Sequence, residues 1–356
     1  MTLSMLMPAE YLKKDCKSVL GDTGILNTRF WTRHCFDPYD NCEFNCVYCN
    51  KATKRRQNSR NKSFPVYVKT NSVNLLTKEL DRLKKKGIVS MGLLMDPYQP
   101  AEKKYHLTRR ILKVLKDYDC PFAIGTKSDL ILRDLDLIAE ASKRPGCCVS
   151  LSITTLDEDL AKLLEPNAPS PKRRLEVVKE LSNAGVTTGI WLSPIIPYIT
   201  DSDENISSVI KGAVKNGAEF VLGGVLDMRN PVGFKLFLEE HFPRLIPKYD
   251  RLYKWRDKSL TYYPNESYLY YLYKRFVSVC KRQGVENYMP HFQTRKQALL
   301  FFMRNLSWLN GEPVSELIPL LNYFPPAHEL LQIIQLKCGD WSVGKSFLKA
   351  MRYFPH

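Results

Sequence analysis

The stretch Cys42-Glu43-Phe44-Asn45-Cys46-Val47-Tyr48-Cys49 sets three thiols within a single short loop, at C-x3-C-x2-C spacing. It reads as an iron-sulfur loop. A [4Fe-4S] cube has four irons and takes its protein ligands from cysteine thiolates. Three ligands leave one iron open, and that iron can chelate a small molecule. The competing reading is a structural zinc site, which needs four closed ligands, usually as two spaced pairs. Only His34 and Cys35 stand near enough in sequence to supply the fourth. A ferredoxin would need a fourth cysteine and typically C-x2-C-x2-C spacing. The loop lacks both.

Outward from the loop, 356 residues at 44% hydrophobic can bury a full core, as one large domain with an appendage or as two domains. No run of about 18 or more apolar residues appears. Met1 to Lys14 has no long apolar segment followed by a cleavage site. A soluble cytoplasmic protein with no membrane association is expected. Of the ten cysteines, three are committed to the loop and the rest show no disulfide framework spacing, so a reducing compartment fits. The net charge is +16, which favours a polyanionic partner such as nucleic acid. A merely solvated basic surface is the alternative. His106, His241, His291, His328 and His356 are scattered without ligand spacing.

Residues 1–28 have little periodicity and read as an N-terminal extension. Arg29 to Phe36 reads as a first strand, and Asp37-Pro38-Tyr39-Asp40-Asn41 as turn chemistry ahead of the loop. Lys51 to Lys62 carries six Lys or Arg, a basic segment able to grip phosphates or simply to be solvated. Val73, Leu76, Leu80 and Leu83 recur at helical spacing, with Ser72 as cap and Gly87 as stop. Strands are expected at Ile88–Leu94, Pro121–Thr126, Cys147–Thr154, Val186–Ser193 and Glu219–Leu226. Helices alternate with them at Leu107–Tyr118, Leu130–Lys143, Pro171–Ala184, Glu204–Asn216 and Val232–Glu240. That alternation implies a parallel sheet with right-handed crossovers, and six strands are too few for a full eight-fold barrel. In Val149-Ser150-Leu151-Ser152-Ile153-Thr154 hydroxyls alternate with apolar residues, whereas a strand buried on both faces is apolar throughout. One face must meet a ligand, water or a hydroxyl ladder.

After about Pro243 the alternation gives way to helices, at Ser267–Arg282, Thr294–Asn305, Pro313–Leu321, Ala327–Lys337 and Val343–Arg352. The expected division is therefore 1–28, 29–242 and 243–356. Eight tyrosines between Tyr249 and Tyr273, interleaved with Lys and Arg, could stack bases. Aromatic stripes on helices are more often core.

Several segments taken in order resemble one family. They are Pro38-Tyr39 ahead of the three cysteines, Asp96-Pro97-Tyr98-Gln99-Pro100 with Glu102, Thr126-Lys127-Ser128, Ser150 to Leu156, and Leu164-Glu165-Pro166 through Pro169-Ser170-Pro171 to Arg174-Leu175. The family is the radical S-adenosylmethionine (SAM) proteins related to spore photoproduct lyase, often labelled DNA repair photolyase-like. The resemblance covers about Phe30 to Leu226. It implies an α/β fold, a partial (β/α)6 TIM-like radical SAM barrel, here followed by a helical C-terminal extension. It further implies one [4Fe-4S] cluster on Cys42, Cys46 and Cys49, and SAM near Tyr48, Lys127, Ser152 and Arg174. In that family an electron passes into the sulfonium and a 5′-deoxyadenosyl radical leaves, so the hard chemistry belongs to the cofactor. An external electron donor such as ferredoxin or flavodoxin is implied with it.

Two departures matter for the reaction. Photoproduct lyase returns a hydrogen atom from a cysteine near the end of the second strand, where this chain has Gly92-Leu93-Leu94-Met95. It also has a tyrosine directly after the third cluster cysteine, where this chain has Asn50. Photoproduct repair itself is therefore not the expectation.

Catalytic groups in barrels of parallel strands sit at the carboxyl ends of the strands. There Asp96 could take the SAM ammonium or be a turn residue, and Lys127 could pair with the SAM carboxylate. Ser128 or Asp129 reads as a helix cap. Glu165 brackets a Pro-rich turn with Arg173 and Arg174, one of which could hold a carboxylate in a bidentate fork; a surface ion pair is the alternative. Ser150 and Ser152 would face the ligand from their strand. Gly223-Gly224 would let the backbone approach a flat ring such as adenine, or form a bulge. Tyr98 is a candidate hydrogen relay. The expected reaction is hydrogen abstraction from a substrate, nucleic acid first, with a peptide or small molecule as runner-up. A non-catalytic, metal-stabilised nucleic-acid-binding protein is the reading from another class.

Overall fold

A computed structural model describes residues 10–20, 22–27, 32–49, 65–83, 88–144, 146–228, 232–254 and 263–287. The chain begins with β1 (Tyr11–Lys14), β2 (Asp22–Asn27), β3 (Thr32–Cys35), β4 (Tyr39–Asp40) and β5 (Val66–Lys69). Helix α1 (Ser72–Arg82) leads to β6 (Val89–Met91), then to α2 (Ala101–Tyr105) and α3 (Leu107–Asp117). β7 (Phe122–Thr126) is followed by a 3-10 turn, Asp129–Asp134, and α4 (Leu135–Ser142). β8 (Cys147–Ser152) precedes α5 (Glu158–Leu164) and α6 (Pro171–Asn183). β9 (Thr187–Ile195), α7 (Asp203–Lys215) and β10 (Phe220–Val225) close the alternation. Beyond it lie α8 (Val232–His241), α9 (Ile246–Tyr253) and α10 (Glu266–Arg282).

Strands β3, β6, β7, β8, β9 and β10 lie side by side in chain order and all run parallel. Each neighbour is reached through at least one helix, which is the (β/α)6 partial barrel that the alternation implied. β2 adds an antiparallel edge to β3, and β1, β5 and β4 form a separate three-stranded sheet. At the other edge Val221 N–H donates to the Glu286 carbonyl at 2.7 Å, so the segment after α10 caps β10.

The main core lies between the sheet and its helices. Val149, Leu151 and Ile153 of the β8 region join Leu76, Ile111, Ile138, Val177 and Ile206 from the surrounding helices. Each such side chain, fully buried, contributes about 2 kcal/mol. Ser150 and Ser152 alternate with them and therefore face the concave side. Sequence-local signals place the helix starts. The side chains of Ser128, Asp157, Ser170 and Ser202 each accept a backbone N–H of the following turn.

Several local expectations are corrected. Residues 10–27 supply two strands, and Tyr39–Asp40 pairs with β5 where a turn was read. Asn71, not Ser72, occupies the cap position of α1, and Ser72 is wholly buried. The expected helix Leu130–Lys143 is a 3-10 turn followed by α4. Helices α2, α5 and α9 fall where no helix was expected. Among the described residues no helix is long and apolar enough to cross a membrane. The described residues form one compact unit. The basic segment Lys51–Lys62 and the helices expected beyond Thr294 lie outside the described residues.

Candidate active site

The cysteine loop follows β4 and is tied down from both sides. Buried Gln99 accepts the Glu43 N–H at 3.1 Å and donates to the Asn41 carbonyl at 2.8 Å. The Glu43 carboxylate accepts the Ala101 N–H at 2.7 Å. On the far side Val47 N–H donates to the Leu164 carbonyl at 2.9 Å, and Asn167 donates to the Glu43 carbonyl at 2.8 Å. The loop thus bridges the end of β6 to the α5 region. Gln99 and Asn167 received no role from the sequence, because an amide carries no signature until its partners are known.

All three thiols are free, Cys46 buried and Cys42 and Cys49 half-buried. Burial pushes the Cys46 thiol up to about 12. It also holds Cys42 well above its ordinary value, against backbone N–H groups of Phe44 and Asp96 that favour the thiolate. Left alone, Cys42 and Cys46 stay protonated; a bound cation deprotonates a coordinating thiol outright. Among the described residues no three His, Cys, Asp or Glu side chains converge on one metal ion. The donor set fits a cluster held by three thiolates.

Opposite the thiols stands a buried group of charges. Glu165, wholly shut off from solvent, accepts the Tyr48 hydroxyl and lies 2.5 Å from Arg174 Nη1 and 3.9 Å from Lys127 Nζ. Burial raises this carboxyl, but Arg174, Lys127 and Tyr48 outweigh it and hold it below its usual value. Lys127, despite its burial, is raised by the facing Cys46 and Glu165, and its ammonium stands 5.8 Å from the Tyr48 ring centre. Arg174 also donates to the carbonyls of Ser152 at 2.8 Å and Pro169 at 2.8 Å. So Tyr48, Lys127, Glu165 and Arg174 come together, and Ser152 joins them through its main-chain carbonyl. Arg173 does not join them; it is an exposed ion-pair partner of Asp129, Glu176 and Glu180.

The concave face of β8 supplies unpaired polarity. The hydroxyls of Ser150 and Thr154 are buried and have no partner among the described residues. Buried hydroxyls are normally satisfied, so this face is built to receive a polar ligand or ordered water. That too fits SAM.

Asp96 is placed differently from its expected role. Its carboxylate accepts from Thr126 Oγ1 at 2.6 Å, Lys127 N–H at 2.7 Å and Tyr98 N–H at 2.9 Å. It fastens the end of β6 to the end of β7, and its turn bond to Tyr98 is the alternative the sequence offered. Asp37, read only as turn chemistry, does the same for β3, accepting N–H bonds from Gly92, Leu94 and Met95 at 2.7, 3.1 and 3.0 Å. Tyr98 is not brought to the site. Its side chain is buried in the main core, with its hydroxyl toward Asp134 and Glu102. Gly223 is corrected as well. A Cβ there would lie 2.9 Å from the Phe276 ring of α10, so the flat ring it admits is the protein's own. The β9–β10 register also shifts between Gly223 and Val225, the bulge alternative.

Residues 37–210 match the model of the Radical SAM superfamily. An uncharacterized protein of Methanocaldococcus jannaschii is 31% identical over 235 residues, covering 66% of this chain and 84% of that protein. The chain belongs to the radical SAM superfamily. A second uncharacterized relative, from Mycobacterium tuberculosis, is 31% identical over 229 residues, 62% of this chain and 67% of that one. Among solved structures, a spore photoproduct lyase mutant with bound AdoMet and dinucleoside spore photoproduct superposes with a TM-score of 0.58. Its identity is 15%, over 76% of this chain and 79% of that one, a likeness of fold. Radical SAM proteins are enzymes that use a [4Fe-4S] cluster and SAM, and this chain is a radical SAM enzyme with that fold.

Proposed function

We propose that this enzyme abstracts a hydrogen atom from a nucleic-acid substrate bound at the carboxyl end of the barrel, in the reducing cytoplasm. The observation that carries the reading is the meeting of the cysteine loop with the Tyr48–Glu165–Arg174–Lys127 group, beside the unpaired hydroxyls of β8. Cys42, Cys46 and Cys49 would hold the cluster. Lys127 and Arg174 would orient the SAM carboxylate, and Ser150 and Ser152 would meet SAM from the strand. When bound and given an electron from a donor such as ferredoxin or flavodoxin, cluster and SAM would supply the 5′-deoxyadenosyl radical.

The residues of the chain do the rest. Glu165 neutralises two buried cations and, through Tyr48, fixes the loop that carries the thiols. Asp96 and Asp37 lock the strand ends, so the walls of the site stay in register. Glu165 and Arg174 are sealed from solvent, so their contact excludes water. Nucleic acid is favoured as substrate by the net charge of +16.

The test is anaerobic reconstitution followed by EPR with and without SAM, and by assay of 5′-deoxyadenosine with dithionite. A cluster spectrum changed by SAM, with 5′-deoxyadenosine formed by wild type and absent in Cys46→Ala, is expected. No 5′-deoxyadenosine from wild type, or the same yield from Cys46→Ala, ends the proposal.

A further inference from the structure

Tyr198 takes no part in the site described above, yet it is built into the same end of the barrel. It follows β9 in a turn closed by the Ile196 N–H to Thr200 Oγ1 at 2.7 Å and the Thr200 N–H to Ile196 carbonyl at 2.8 Å. Its φ of 63° is left-handed, a conformation that a bulky residue keeps only where its surroundings enforce it. Its ring is 41% exposed. The ring packs at 6.0 Å against Tyr249 and at 6.2 Å against Tyr268. Both supports are fixed, Tyr249 by a hydroxyl bond to the Pro197 carbonyl and Tyr268 by one to Asp201. The result is a rigid, solvent-facing aromatic surface.

A cation stands over it. Lys248 Nζ stands 5.1 Å from the Tyr198 ring centre. Lys248 and Arg251 are exposed and three residues apart on α9, which puts them on one face of it, and Arg244, also exposed, lies in the 3-10 turn Pro243–Leu245 just before α9. Asp250 falls on another face and is half-buried. The apolar group that seats Tyr249 also contains Val47, Leu164, Ile196 and Leu226, with Tyr48 packed against it. One packed cluster therefore joins this rim to the cysteine loop.

We propose that Tyr198, the Lys248–Arg251 face of α9 and Arg244 in the turn before it form a rim for single-stranded nucleic acid, one base stacked on Tyr198 and adjacent phosphates on the cations. The proposal rests on the hydrogen-abstraction reading and adds where the substrate is held. An acidic peptide would satisfy the cations but offers no regular flat ring for the tyrosine. An unstacked nucleotide strand offers both, and only an unstacked strand exposes base faces. A base that is to be attacked must also leave its stack.

The test uses full-length reconstituted protein and a fluorescein-labelled oligothymidylate, read by anisotropy over a salt series. Tyr198→Ala should weaken binding by about fivefold or more, while Tyr198→Phe, which keeps the ring, should not. Lys248→Gln with Arg251→Gln should lower the log-log salt slope by about 1.4, two contacts at roughly 0.7 each. These two side chains are exposed, so that variant folds even if Tyr198→Ala does not. An unchanged salt slope overturns the proposal, as does tighter binding of duplex than of single strand. Displacement by polyglutamate as readily as by oligonucleotide also overturns it, in favour of an acidic peptide. Wild-type 5′-deoxyadenosine formation without oligonucleotide tests the cofactor chemistry separately. Its presence together with an unchanged slope sinks this inference alone.

Discussion

Arg174 and Glu165 meet at 2.5 Å with both side chains sealed from solvent, and their contact closes the wall between the cysteine loop and β8. Removing one member of a buried pair costs at most about 3–5 kcal/mol, and here Lys127 and Tyr48 keep part of the compensation of Glu165. Arg174→Met should therefore be destabilising in urea unfolding. Glu165→Gln with Arg174→Met should be less so than Arg174→Met alone. A single variant costing under about 1 kcal/mol would show that the pair does not hold the wall.

Asp37 gives a pH prediction. Burial raises its carboxyl from 3.8 to about 6, against the pull of three backbone N–H groups. Between those values the folded state binds a proton that the unfolded state has released. Stability therefore falls as pH rises through that window, by on the order of 3 kcal/mol in all. Asp37→Asn should lack this slope, so the difference in unfolding free energy between wild type and variant should change across the window. A pH-independent difference would contradict the assignment.

Gly223→Ala should cost about 1–3 kcal/mol, because its Cβ would press on a buried Phe276 ring that has nowhere to move. Phe276→Leu in the same chain should recover part of that loss. SAM affinity, measured by calorimetry on reconstituted protein, should be unchanged. A selective loss of SAM affinity would restore the glycine pair to an adenine-contacting role.

Tyr98→Phe removes a hydroxyl that faces Asp134 and Glu102, within a group where Arg133 lies 2.6 Å from Glu102 and 2.7 Å from Asp134. That hydroxyl is buried without a hydrogen-bond partner among the described residues, so stability should be unchanged or slightly raised, with 5′-deoxyadenosine yield and product unchanged. A drop in product with intact stability would place Tyr98 in the reaction after all.

Much of the fold was legible because its signals are local. Leu107 to Tyr118 carries its own helical period, and Ser170-Pro171 its own cap and first turn. The hydroxyl alternation of β8 announced a polar concave face, and the structure leaves Ser150 and Thr154 unpaired there. The tyrosine stretch was legible only as two possibilities. Tyr249 and Tyr253 proved to be core, their hydroxyls on the Pro197 and Leu226 carbonyls, while Tyr271 is 63% exposed. Whether a tyrosine on a helix faces core or water depends on which neighbour covers it, and no period of the chain states that.

The sequence by itself determined that three thiols share one loop and that strands alternate with helices, since both are properties of spacing along a few residues. Tertiary structure alone decided that Arg174 and not Arg173 meets Glu165, that Asp96 and Asp37 are spent on neighbouring strand ends, and that Phe276 fills the space beside Gly223. Those partners lie far apart in the chain. Their side chains are committed only when the parallel strands come into register and the loops at their carboxyl ends are packed together.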